Sequence, residues 1–122
     1  MKNILLLEDE KIIGRIYAKY LEDAGFAVTW VTTTEQAKDA SAQKKFAALL
    51  LDHGIADSSE SGLDILPELR DAQPGAKIII ISNYSSSNIQ QRAKKLGADA
   101  YLIKLNTPLP SLIESVQNLL AR

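Results

Sequence analysis

Short apolar runs alternate with amphipathic segments five times along the chain. Ile4–Leu7, Ala27–Val31, Phe46–Leu51, Lys77–Ile81 and Ala100–Ile103 read as strands. The segments between them carry the helical period. From Glu10 to Ala24, the residues Ile13, Ile16, Tyr17, Tyr20, Leu21 and Ala24 recur at helical spacing and predict one inward face, and Gly25 predicts the stop. Thr33 or Thr34 predicts the cap of a short, weakly amphipathic helix running to Ser41. A third helix spans Leu63–Ala72, with Pro67 tolerated near its start at the loss of one backbone hydrogen bond. Ser85–Leu96, ended by Gly97, is the fourth. The fifth is Leu109–Leu120, with Leu109, Leu112, Ile113, Val116, Leu119 and Leu120 on one face. The unbroken apolar run of Phe46–Leu51 suits a parallel strand covered on both faces. The alternation therefore predicts an α/β fold: a single doubly wound, five-stranded parallel sheet with helices on both faces and right-handed crossovers. With strand order 2-1-3-4-5, the switch point lies between the first and third strands.

The polar residues that end these runs change the picture most. Glu8-Asp9 follows the first strand, Asp52 the third, Ser82 the fourth and Lys104 the fifth. Parallel α/β sheets bind ligands at the carboxyl ends of their strands. Glu8, Asp9 and Asp52 would converge at the switch point, where three mutually repelling carboxylates need a cation. Oxygen-only ligands favour Mg²⁺ over zinc. A Mg²⁺ pocket with a lysine and a hydroxyl at its rim suits phosphoryl transfer, and a carboxylate can itself attack phosphorus. Asp52 stands alone and is the nucleophile candidate, with Glu8-Asp9 as the cation clamp. Ser82 and Lys104 are placed to contact phosphoryl oxygens.

Composition narrows the classes. The 122 residues make one domain, taken as residues 1–122. Apolar residues are 46% and charged residues 24%, as in a soluble globular protein. A net charge of -1 offers no basic footprint for nucleic acid and no polybasic membrane patch. The lack of cysteine excludes disulfides, thiolate metal sites and cysteine nucleophiles. No apolar run is long enough to span a bilayer. Met1-Lys2-Asn3 leads straight into a strand, so no secretory signal is expected and the cytoplasm is the expected location.

These motifs, Leu-Leu-Leu-Glu8-Asp9, Leu-Leu-Leu-Asp52, Ile-Ile-Ile-Ser82 and Tyr101-Leu-Ile-Lys104, resemble the receiver domain of two-component response regulators over essentially the whole chain. Asp52 to Ser82 is 30 residues and Ser82 to Lys104 is 22, matching the family's spacing. The resemblance implies the flavodoxin-like strand order. It implies that Asp52 accepts a phosphoryl group from a sensor histidine kinase or phosphotransfer protein. Mg²⁺ would bind Glu8, Asp9, Asp52 and the carbonyl of Gly54. Ser82, Lys104 and Asn83 would contact the phosphoryl group, and Ser82 and Tyr101 would form the switch. A downstream protein or output domain would read the face made by the fourth helix, fifth strand and fifth helix. Such a domain is a signalling switch, catalysing only its own phosphorylation and dephosphorylation.

The chain also departs from the family. Leu105 stands where Pro usually follows the lysine, so the Lys104–Leu105 peptide is expected to be trans. Asn83 stands where the residue is usually small, and the loop before Gly62 lacks the usual Pro and is two residues longer. These departures favour a rival reading as a phosphorylation-independent interaction module. A small Mg²⁺-dependent phosphatase needs a second carboxylate two residues after its nucleophile, and position 54 is Gly. Glu8-Asp9-Glu10 would repel a flavin phosphate. Single residues have plainer readings too: Lys104 as a solvated lysine, Tyr101 as packing, His53 as an exposed loop residue, Trp30 as packing against a helix.

Overall fold

In chain order the elements are β1 (Asn3–Leu7), α1 (Lys11–Asp23), β2 (Ala27–Val31), α2 (Thr34–Gln43), β3 (Ala48–Asp52), α3 (Gly62–Ala72), β4 (Lys77–Ser82), α4 (Ser87–Leu96), β5 (Ala100–Ile103) and α5 (Leu109–Leu120). A 3₁₀ turn, Lys104–Asn106, follows β5. The computed structural model describes residues 1–54, 61–83 and 87–121. Residues 55–60 of the loop before Gly62 and the helix start expected at Ser85 fall outside the described residues.

The sheet order is β2-β1-β3-β4-β5, and every pairing is parallel. Alternate side chains of the inner strands feed two cores. Leu5, Leu7, Leu49, Leu51, Ile78 and Ile80 pack under α2, α3 and α4. Ile4, Leu6, Ala48, Leu50, Ile79 and Ile81 pack under α1 and α5. This explains the unbroken apolar runs, since both faces of an inner strand are covered. The edge strands β2 and β5 are only half-buried.

Helix ends follow the sequence signals. Thr33 Oγ1 accepts a hydrogen bond from the Gln36 N–H and caps α2. Ser61 and Asp64 form a reciprocal capping box at the start of α3. Gly25 and Gly97 close α1 and α4 with φ of 99° and 110°. At α1 the Phe26 N–H donates to Leu21 O and the Gly25 N–H to Glu22 O, the paired bonds of a left-handed glycine stop.

One helix face differs from expectation. Ile16 and Tyr20 are 41% and 46% exposed. The inward line of α1 runs instead through Gly14, Tyr17, Ala18 and Leu21. The reason is Trp30, whose ring lies against Gly14 and fills space that a helix side chain would otherwise take. Glu10 is the N-cap of α1 and lies outside the helix.

Candidate functional site

The switch point between β1 and β3 gathers the acidic residues. Glu8 follows β1, and its N–H donates to Val31 O, extending the ladder with β2 by one residue. Asp52 is the last residue of β3, paired in register with Ile81 of β4. Both are buried, Glu8 at 1% and Asp52 at 5% exposure, and Asp9 is half-buried. One carboxylate oxygen from each of Glu8, Asp9 and Asp52 lies within 4.8 Å of the others. Lys104, in the first position of the 3₁₀ turn, spans two of them. Its Nζ donates to Glu8 Oε1 at 2.9 Å and to Asp52 Oδ2 at 3.2 Å. No described peptide bond is cis, so the turn carries Lys104 into the cluster through a trans bond to Leu105, whose side chain is 87% exposed.

The Lys104 ammonium bonds two of the three clustered carboxyl groups. Burial pushes the Glu8 carboxyl up to about 7; the Lys104 hydrogen bond opposes this and the Asp52 charge adds to it. Burial works against the Lys104 charge, but the bond to Glu8 and the field of Asp52 outweigh it and raise its pKa above the ordinary lysine value. Tyr17 on α1 also lies in this field: burial raises its phenol, and Lys104, Glu8 and Asp52 all act on it. Carboxylate oxygens gathered this closely fit a hard divalent ion such as Mg²⁺, which takes a few carboxylates and keeps several waters.

The other sequence candidates surround this cluster. The Gly54 N–H donates to Asp52 Oδ1 at 3.1 Å. Ser82 ends β4 and is fully buried, while Asn83 is exposed. Tyr101 on β5 packs partly against the core under α4. It lines a cavity of about 460 Å³ between α4 and β5, together with Gln90, Gln91, Lys94 and Asp99. His53 is half-buried, not exposed, because its N–H donates to Ile81 O and keeps it in the sheet. Gly62 sits where a Cβ would come within 2.4 Å of Asp52 O, so α3 starts hard against the Asp52 backbone.

Sequence reasoning gave Trp30 no role at the site. Its Nε1–H donates to Glu8 O at 2.9 Å. No local pattern signals a contact between residues 22 positions apart.

A doubly wound parallel sheet with an acidic, lysine-bridged cluster at its switch point belongs to the flavodoxin-like class that includes the chemotaxis-type receivers. The chain is a member of the response regulator receiver domain family, which matches residues 4–117. Such domains are the signalling switches of two-component systems. The chain is 30% identical over 105 residues to the alginate biosynthesis transcriptional regulatory protein AlgB of Pseudomonas aeruginosa. That match covers 86% of this chain but only 23% of AlgB, so the chain spans about a quarter of that relative's length. A CheY-like receiver domain protein from Methanospirillum hungatei superposes with a TM-score of 0.92 at 26% identity, covering 99% of this chain and 94% of that one. A response regulator from Burkholderia pseudomallei, solved with a phosphorylated aspartic acid, a calcium ion and citrate, superposes with a TM-score of 0.88 at 29% identity, covering 99% and 69%. Among the described residues no helix is long and apolar enough to cross a membrane.

Proposed function

We propose that this chain is a phosphoacceptor receiver, spanning residues 1–122, in which Asp52 takes a phosphoryl group from the phosphohistidine of a sensor histidine kinase or phosphotransfer protein. The observation that carries this reading is the convergence of Glu8, Asp9 and Asp52 within 4.8 Å, with Lys104 hydrogen-bonded to two of them. The phosphorylated aspartate and calcium ion of the Burkholderia relative support it.

An Asp52 carboxylate oxygen attacks phosphorus, the phosphorus–nitrogen bond breaks, and the imidazole leaves with the electron pair. Glu8, Asp9, Asp52 and the Gly54 carbonyl would hold Mg²⁺, which would supply neutralising charge to the transferring oxygens. Lys104, already held charged beside Asp52, pairs with one phosphoryl oxygen, and Ser82 and Asn83 donate to others. As Ser82 turns to the phosphoryl group, Tyr101 settles toward the space beside α4. A downstream protein or output domain reads the changed face of α4, β5 and α5. The domain acts in the cytoplasm and touches neither nucleic acid nor membrane itself.

Intact mass after incubation with Mg²⁺ and a small-molecule phosphodonor tests this. One phosphoryl adduct is expected on the wild type and none on Asp52→Asn. An adduct that persists in Asp52→Asn moves the site, to His53 first. The exposed Leu105 favours a second reading, a phosphorylation-independent interaction module of the same fold. A folded wild type that takes up no phosphoryl group selects it.

A further inference from the structure

We propose that Trp30 is a positioning residue for the cation site, aiming Glu8 and Asp9 through the peptide that joins them; this rests on the metal-binding reading above. The two backbone polar groups of Glu8 are both engaged by the end of β2. Its N–H donates to Val31 O at 3.0 Å, and its carbonyl accepts from Trp30 Nε1–H at 2.9 Å. That carbonyl lies in one rigid plane with the Asp9 nitrogen. Fixing the carbonyl therefore fixes the direction in which the Asp9 backbone and side chain leave. On the other side, Glu8 Oε2 accepts from the Glu10 N–H at 3.1 Å, so the segment is closed from both ends.

The indole is itself held by a matching feature on α1. A Cβ added to Gly14 would lie 2.3 Å from Trp30 Cε2 and Cζ2. Gly14 thus lets the ring lie against the helix backbone, with its N–H end reaching the β1–α1 junction. A Phe or Leu would fill the apolar space as well. What tryptophan adds there is the donor, and the donor goes to the one loop that carries two of the three clustered carboxylates. Groups that orient metal ligands from behind are typically worth a tenfold or greater change in metal affinity.

The test is a Mg²⁺ titration followed by amide shifts in NMR, on the wild type, Trp30→Phe, Gly14→Ala and Phe26→Leu. Trp30→Phe keeps an aromatic ring and loses the donor. Gly14→Ala keeps the donor and displaces the ring, and serves as the second arm should Trp30→Phe not fold. Phe26→Leu trims the same core away from the loop. Trp30→Phe and Gly14→Ala are expected to bind Mg²⁺ about three- to tenfold more weakly. Phosphoryl uptake should fall by the same factor at low Mg²⁺ and recover at saturating Mg²⁺, a split that lost packing alone does not produce. Phe26→Leu should keep the wild-type affinity. Wild-type affinity in both Trp30→Phe and Gly14→Ala overturns the assignment, as does an equal loss in Phe26→Leu. A wild type that binds no Mg²⁺ is the separate failure of the metal reading, and it takes the positioning role with it.

Discussion

Polar groups are buried at both ends of the sheet, and the two ends handle them in opposite ways. At the amino-terminal ends of β3, β4 and β5, Gln73 Oε1 accepts from the Phe46 N–H at 3.0 Å. Its Nε2 donates to Ser41 O at 2.8 Å and Lys44 O at 2.6 Å. Arg70 donates to Ala76 O, Gly97 O and Asp99 Oδ2, and Asp99 Oδ2 also accepts from the Ile78 N–H. The amide of Gln73 is thus fully matched within the chain, and three loops are tied together. At the carboxyl-terminal ends, three carboxyl groups crowd together and Lys104 bridges two of them. The first end spends its polarity on stability. The second gathers carboxyl groups close enough to share a bound cation, as a binding site requires.

Exchanging the roles of the two ends by mutation gives the largest expected effects. Asp52→Asn should abolish phosphoryl uptake by intact mass, yet unfold in urea at or above the wild-type midpoint. The substitution neutralises one of three crowded carboxyl groups. Gln73→Ala should do the reverse. It strands one N–H and two carbonyls and should cost about 3 kcal/mol in urea unfolding, while phosphoryl uptake by the folded protein stays at the wild-type rate. A Gln73→Ala protein of full stability would break the comparison.

A smaller effect is expected in pH. The folded Glu8 carboxyl titrates near 7, above its ordinary value of 4.5. The folded state therefore holds a proton that the unfolded state has lost between these values. Stability from this group is complete below about 4.5 and declines as pH rises toward 7. Urea midpoints of the metal-free protein across that window should fall for this contribution, and the fall should be absent in Glu8→Gln. Saturating Mg²⁺ should offset it, since a cation then replaces the proton.

The smallest expected effect belongs to a surface ion pair. Arg92 on α4 pairs with Asp64 in the capping box of α3 at 3.2 Å, with both side chains well exposed. Arg92→Ala should cost about 0.5 kcal/mol, and less in high salt. A loss several times larger would mean that α3 and α4 are coupled more tightly than a solvated pair allows.

The local pattern was enough for much of this. Apolar runs on doubly covered strands, each ended by Glu8-Asp9, Asp52, Ser82 or Lys104, made both the sheet and its ligand-facing edge legible. So did Gly25 and Gly97, because a left-handed helix stop needs a residue without Cβ. The stripe of α5 is legible too, since Leu112, Val116 and Leu119 are buried at helical spacing. The apolar pattern of α1 places Ile16 and Tyr20 inward, whereas both are exposed. Periodicity counts the apolar residues of one segment and is blind to a ring arriving from another. His53 is half-buried where an exposed loop residue is expected for a related reason, as its backbone N–H continues a ladder to Ile81 that no neighbouring residue announces.

Sequence by itself determined the element order, the strand ends that carry charge and the kind of ion those charges suit, because each depends on residue type and spacing along one segment. Tertiary structure alone decided that Lys104 bridges Glu8 and Asp52, and that Trp30 lies on Gly14 and holds the Glu8 carbonyl. Those contacts join residues on different elements. Their distances follow from how strands are spaced and helices laid across them, which no local window of the chain contains.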